Sequence, residues 1–138
     1  MATKSSETRE SLFRAYESTI VSTKDPADGD PTGAWTDPAL VCVSRGAGAR
    51  VMTAWNPGFD RPTPTKNEAA NIQMRADLEL AGNEVWLSEG AAPDGDFSEP
   101  GFLVWGMNRE VAVEIARKYC QFAIYEYDNQ GVRTVVPC

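Results

Sequence analysis

The chain has 138 residues, of which 42% are apolar and 24% are charged, and these values are typical of one globular domain with its own core. Its 20 acidic and 13 basic residues give a formal net charge of −7, so we expect no direct binding to nucleic acid, because phosphate recognition depends on Lys and Arg. The chain contains no histidine, which excludes a Ser-His-Asp triad, a Cys-His pair and a histidine-ligated metal.

The N-terminal part of the chain predicts a helix, a strand and a long loop. Residues 1–6 are polar and are expected to fray, and the spacing of apolar side chains predicts a short helix over residues 7–16. A β-branched run predicts a first strand over residues 19–23. Residues 24–38 are rich in Asp, Pro and Gly, which predicts a surface loop.

That loop contains the opening of a calcium-binding motif but not its end. Asp28, Asp30, Thr32 and Gly33 match the first ligand positions, whereas Ala39 stands where the bidentate Glu belongs. We therefore expect no metal site in this segment.

The three cysteines form no metal-binding or redox CxxC spacing, and we expect Cys42 and Cys120 to be buried thiols in a reducing cytosol. The N-terminal residues contain no long apolar run, so we expect neither a signal peptide nor a membrane span. These features predict a cytoplasmic protein, and no motif indicates a cofactor.

Two apolar runs, Leu40 to Ser44 and Val51 to Trp55, flank a Gly-containing segment and predict a β-hairpin. The intervening Gly-Ala-Gly-Ala lacks the third glycine of a dinucleotide fingerprint and precedes a strand, so we discount that motif. The second strand ends at the turn sequence Asn56-Pro57-Gly58.

A helix is predicted over residues 66–81, where the composition favours a helix and Gly82 follows. Its apolar residues fall on two sides, which predicts a helix covered on both. A short strand over 84–87, an acidic loop over 88–100 and a central strand over 101–105 follow.

The C-terminal part predicts a helix followed by a hairpin. Asn108 is the expected N-cap of a helix with one clean apolar face. Strands are predicted over 122–127 and 132–136, with a turn between them. Hairpins that alternate with helices indicate an α+β fold: a mixed or mainly antiparallel sheet of about five to seven strands, with two principal helices on one face and a short N-terminal helix.

Six residues at the ends of these elements are candidates for a ligand-binding site, because recognition residues concentrate where elements end. They combine a ring that can stack on a ligand with amides, a guanidinium and a carboxylate that can bind its polar edges. The six are Trp55, Asn56, Asn71, Arg75, Glu99 and Gln121.

Each candidate also has a structural interpretation. Trp55 can belong to the core, Asn56 can bond its own turn, and Gln121 can cap carbonyl groups. Asn71 and Arg75 can lie on a solvated helix face, with Arg75 paired to Asp77 or Glu79. The carboxylate of Glu99 can accept hydrogen bonds from loop amides.

The chain resembles the uncharacterised bacterial and phage family DUF3293 over about residues 15 to 136. The resemblance rests on the order and spacing of short motifs. These are Ala54-Trp55-Asn56-Pro57, Asn71 with Leu78, Glu99-Pro100 before Phe102-Leu103-Val104, and Gln121 with Ala123-Ile124. It implies a domain of this size and no established activity.

Two functions from different classes remain open. The first is a binding module for a small polar, nucleotide-like ligand; in an enzymatic version Glu99 would be the general base, although no nucleophile–base pair or metal set is found. The second is a phage-type inhibitor or interaction module, whose acidic loops over 24–38 and 92–99 would bind a basic host or defence protein. A purely structural domain is a third possibility.

Overall fold

The computed structural model describes residues 8–26, 34–95 and 97–138, and within them the chain forms four helices and six strands. The helices are α1 (Arg9–Ser18), α2 (Pro38–Arg45), α3 (Pro64–Leu80) and α4 (Arg109–Lys118). The strands are β1 (Ile20–Lys24), β2 (Ala49–Met52), β3 (Val85–Ala91), β4 (Ser98–Trp105), β5 (Ala123–Tyr127) and β6 (Arg133–Pro137). The predicted α+β class is therefore confirmed. The calcium motif at 28–33 and the fraying predicted for 1–6 lie outside the described residues.

All six strands form one antiparallel sheet in the order β1-β3-β4-β2-β5-β6. β4 lies between β3 and β2, and its residues from Gly101 to Trp105 are buried, as expected for a central strand. The acidic loop predicted over 88–100 is shorter than expected, because β3 and β4 extend into it and pair as far as Ala91 and Ser98.

Residues Leu40 to Ser44 are helical, so the prediction of a strand and hairpin there is wrong. The caps explain the difference: Asp37 accepts a hydrogen bond from the backbone N–H of Ala39 at 2.9 Å, and Pro38 occupies the first turn. Gly46 ends the helix in the left-handed conformation with φ of 72°. A short apolar run fits a strand and a helix equally well, and here the two caps decide.

Helices cover both faces of the sheet, which corrects the expectation that they lie on one face. α3 and α4 pack on the first face, where Met74, Leu78, Ala112 and Ala116 belong to one buried cluster. α1 and α2 cover the opposite face, where Cys42 is buried in a second cluster as predicted, whereas the prediction that Cys120 is buried is wrong because its side chain is exposed. The extra layer follows from α2, which the sequence pattern assigned to the sheet.

The helix α3 confirms the prediction for residues 66–81 but is buried on one side, not two. The side chains of Asn67, Asn71, Met74 and Leu78 are buried, whereas Leu80 is 85% exposed. Two asparagines therefore lie where an amphipathic helix ordinarily places apolar residues. Their position predicts that they have specific hydrogen-bond partners, since buried amides are costly without them.

Candidate functional site

A cavity of about 530 Å³ lies between α1 and the face of the sheet that α1 covers. Tyr16 lies on its α1 side, Ser88 and Gly90 come from β3, and Thr53 follows β2. Four of the six predicted site residues line it: Trp55, Asn56, Glu99 and Gln121.

Close backbone packing at Gly101 shapes one side of this cavity. Gly101 pairs with Ser88 in the β3–β4 ladder. A Cβ atom added to Gly101 would lie only 2.6 Å from the carbonyl oxygen of Met52. Only glycine lets the end of β2 approach β4 this closely, and the segment after β2 then turns along the cavity.

That segment is held by Asn71, which lies outside the cavity lining. The Asn71 Oδ1 accepts a hydrogen bond from the backbone N–H of Ala54 at 2.8 Å, and its Nδ2 donates to the Pro100 carbonyl at 2.9 Å. Both ends of the buried amide are thus bonded to backbone groups. Asn71 joins α3 to the two segments that carry Trp55 and Glu99.

Arg75, the sixth predicted residue, also lies outside the lining. Its Nε atom is 3.8 Å from Oε2 of Glu79, one helical turn along α3. This is the pairing that its structural interpretation anticipated. The structure therefore brings four of the predicted residues together in the lining and leaves Asn71 and Arg75 on α3, outside it.

Asn56 and Asn67 form a reciprocal pair that holds the turn. The backbone N–H of Asn56 donates to Asn67 Oδ1 at 2.9 Å, and Asn67 Nδ2 donates to Asn56 Oδ1 at 2.9 Å. Asn56 has φ of 50°, a left-handed conformation that asparagine tolerates better than most residues. Such conformations persist where surrounding contacts fix them, and they are frequent at functional sites.

The carboxylate of Glu99 is bound by the Asn56 member of this pair. Asn56 Nδ2 donates to Glu99 Oε1 at 3.0 Å. Burial raises the pKa of Glu99 above its ordinary value, while the hydrogen bond from Asn56 and the positive charge of Arg61 oppose that increase. Glu99 is therefore a partly buried carboxylate whose ionised form is only partly compensated by the protein.

Trp55 and Gln121 lie on the same side of the cavity. The Trp55 side chain is half-buried, and its carbonyl accepts a hydrogen bond from Gln121 Nε2 at 3.2 Å. The Gln121 side chain is itself buried. Gln121 thus supports the segment that carries Trp55, in agreement with its carbonyl-capping interpretation, while it also lines the cavity.

The sequence did not single out Tyr16, Arg61 or Phe97, which also line the cavity. The Tyr16 ring packs edge-on against Tyr125 with 6.1 Å between centroids, and the Tyr125 hydroxyl donates to the Tyr16 carbonyl at 2.7 Å. Burial, with the nearby negative charge of Glu99, raises the pKa of Tyr16 to about 12. The aromatic spacing of α1 was visible in the sequence, but it indicated a core face.

The arrangement combines aromatic rings with few charged groups. Of the described residues that line the cavity, Glu99 is the acidic one and Arg61 the basic one. No cluster of His, Cys, Asp or Glu among the described residues has the geometry to hold a metal ion. The site can therefore accept hydrogen bonds at Glu99, stack a ring against Trp55 and exclude part of a ligand from water.

The family model for DUF3293, a protein family of unknown function, matches residues 52–124, which is more than half of the chain. The chain belongs to the DUF3293 family. The DUF3293 match begins at the end of β2 and includes all six predicted site residues together with Asn67 and Arg61. It does not include α1, which covers the cavity.

No curated protein and no solved structure gives a significant match to this chain. None of the helices in the described ranges of this DUF3293 protein combines the length and apolar character needed to cross a membrane.

Proposed function

We propose that this DUF3293 protein is a cytoplasmic binding module for a small polar ligand with a planar ring, such as a nucleoside or a related compound. The observation that carries the proposal is the cavity, in which a partly buried carboxylate is oriented by two asparagines. Ligand sites in proteins are typically concave, mainly apolar and equipped with a few convergent polar groups. The cavity under α1 has each of these properties.

The lining residues have distinct roles in this proposal. The ring of Trp55 stacks against the planar part of the ligand, a contact worth about 1–3 kcal/mol for nucleobases. Glu99 accepts hydrogen bonds from the ligand. Asn67 orients the Asn56 amide, which in turn donates to Glu99. Gln121 donates a hydrogen bond to the carbonyl of Trp55 and adds a polar amide group to the lining.

The inhibitor alternative makes a different demand on the same residues. A protein that binds a basic partner through its charge needs an exposed acidic surface, and its Trp55 and Glu99 need no enclosed space. The volume enclosed beside Glu99 and Trp55 supports the ligand proposal over this alternative. Binding through an acidic surface would also weaken strongly with salt, whereas binding in a partly buried cavity would weaken less.

A thermal-shift screen of the full chain against nucleosides, nucleotides, cyclic nucleotides and nicotinamide derivatives tests the proposal. A ligand present at 100 times its Kd adds about 2.7 kcal/mol to stability, which raises the Tm by about 10 °C for a chain of this size. We expect a ligand whose shift is lost in Trp55→Ala and retained in Trp35→Ala, since Trp35 is partly exposed and lies outside the cavity lining.

A second pair of variants tests the role of the carboxylate. Glu99→Gln should abolish the shift, whereas Glu89→Gln should keep it, because Glu89 lies on the neighbouring strand outside the lining. Circular dichroism establishes that each variant is folded. A screen without hits, or hits that survive both Trp55→Ala and Glu99→Gln, would contradict the proposal.

A further inference from the structure

The hydrogen bonds around Glu99 fix the direction in which each amide donates. The backbone N–H of Asn56 can only donate, so the atom of Asn67 that it contacts must be the oxygen Oδ1. The other end of the Asn67 amide is then Nδ2, which donates to Asn56 Oδ1. This leaves Asn56 Nδ2 to donate to Glu99 Oε1.

This chain of bonds ends with Glu99 as an acceptor. A backbone group sets the orientation of both amides, and therefore neither can turn its oxygen towards Glu99 without losing other hydrogen bonds. If Glu99 were protonated on Oε2, Oε1 would still accept the hydrogen bond from Asn56, and the new O–H group would be a donor. Oε1 of Glu99 accepts from Asn56 in this arrangement, and a ligand group that faces the ionised carboxylate should carry a donor.

The surroundings of Glu99 favour a donor with a positive charge. Tyr16, Trp55 and Phe97 are aromatic residues of the lining, and the faces of such rings attract organic cations. Arg61, the basic residue of the lining, is exposed to solvent, whereas Glu99 is partly buried. A cationic ligand in the cavity would add a second positive charge beside the carboxylate, which already feels the charge of Arg61.

We infer that the cavity binds an arylalkyl amine, with the protonated amino group of the ligand on Glu99 and its ring against Trp55. This inference rests on the proposed function and narrows it from polar ring compounds to organic cations. The combination of one carboxylate and several aromatic rings is suited to an ammonium or amidinium group. A ligand with a carboxylate at the same position would be repelled by the negative charge of Glu99.

Three compounds that share an indole ring test the charge preference by calorimetry with the full chain. Tryptamine carries an ammonium group, tryptophol a neutral hydroxyl and indole-3-acetate a carboxylate. We expect tryptamine to bind at least about tenfold more tightly than tryptophol, and indole-3-acetate to bind more weakly than both. In Glu99→Gln the difference between tryptamine and tryptophol should fall to about twofold or less, while Glu89→Gln should retain it.

Glu99→Gln keeps an oxygen to accept the hydrogen bond from Asn56, so it removes the charge with little change of shape. Near-ultraviolet circular dichroism checks that its tertiary structure is intact. Equal or tighter binding of indole-3-acetate, or a tryptamine preference that survives in Glu99→Gln, would overturn the inference while leaving a ligand-binding cavity in place. Failure of all three compounds to bind would also overturn it, and the nucleoside screen would then decide the proposed function separately.

Discussion

At the scale of single residues, the cavity depends on the orientation of one carboxylate. Asn67 and Asn56 are buried or half-buried amides whose hydrogen bonds lead from the backbone to Glu99. Buried amides without partners destabilise a protein, whereas fully bonded networks specify one arrangement of their members. The side-chain position of Glu99 is therefore set by α3, although Glu99 itself lies on β4.

The raised pKa of Glu99 leads to a prediction about stability. A carboxyl group whose pKa is higher in the folded than in the unfolded protein stabilises the fold when protonated, and this contribution is lost as the pH rises through the folded-state pKa. At neutral pH the ionised Glu99 is thus unfavourable, and Glu99→Gln should be more stable than wild type. The advantage should shrink as the pH falls through the range in which Glu99 gains its proton.

Denaturant unfolding at pH 7 and at progressively lower pH measures this difference, with Glu89→Gln as the control. The control variant is not expected to be more stable than wild type at pH 7. A Glu99→Gln variant that is less stable than wild type at pH 7 would show that the ionised carboxylate stabilises the fold, which is opposite to the prediction.

At the scale of elements, the contact between β4 and the end of β2 forms one side of the cavity. Gly101→Ala places a methyl group against the Met52 carbonyl and should lower the free energy of unfolding by about 3 kcal/mol or more. The control Gly90→Ala meets only the methyl group Cγ2 of Thr19 at 3.2 Å, and a side chain can shift. Gly90→Ala should therefore cost less than about 1 kcal/mol. Comparable losses in urea unfolding of the two variants would argue against this role of Gly101.

Element by element, the sequence predicted the parts of the fold whose local signals agree. The Asn108 cap, the apolar run from Gly101 to Trp105 and the turn before β6 all point to the structures that form. Leu40 to Ser44 was wrongly predicted as a strand because it is a short apolar run beside a Gly-containing segment, while the Asp37 and Gly46 caps favoured a helix. Local patterns of this length do not decide between the two.

The candidate site was predicted in part for a related reason. Trp55, Asn56, Glu99 and Gln121 lie at element ends, and the sheet brings such ends together. Asn67 could be recognised only by its burial on α3, since its position in the sequence looks like an ordinary solvated one. Tyr16 reaches the site through packing against Tyr125, 109 residues away, and no local pattern indicates that contact.

At the scale of the whole molecule, the last strand holds the N-terminal helix that covers the cavity. Arg133, on β6, donates to the carbonyls of Thr19 at 2.8 Å and Glu17 at 2.7 Å, and its guanidinium lies 4.8 Å from the centre of the Tyr125 ring. Positive charge beside the last carbonyls of a helix is favourable. Arg133 therefore fastens the C-terminal end of α1 to the sheet beside the cavity.

Arg133→Met should loosen α1 without unfolding the sheet. We expect hydrogen exchange in residues 9–18 to accelerate about tenfold, and any ligand of the cavity to bind several-fold more weakly. Arg117→Met is the control, because Arg117 is an exposed residue of α4. Mass spectrometry of exchanged peptides measures the effect, and unchanged exchange in α1 would exclude Arg133 as its attachment.

The most direct test of the cavity as a ligand site is a two-dimensional ¹⁵N NMR titration of the full chain with the strongest compound from the screens. The four tryptophans, Trp35, Trp55, Trp86 and Trp105, provide an internal comparison through their indole N–H signals. We predict that the Trp55 indole and the side-chain amides of Asn56 and Gln121 shift, while the Trp35 indole stays in place. Shifts confined to the outer acidic surface, with Trp55 and Asn56 unaffected, would contradict the proposed site.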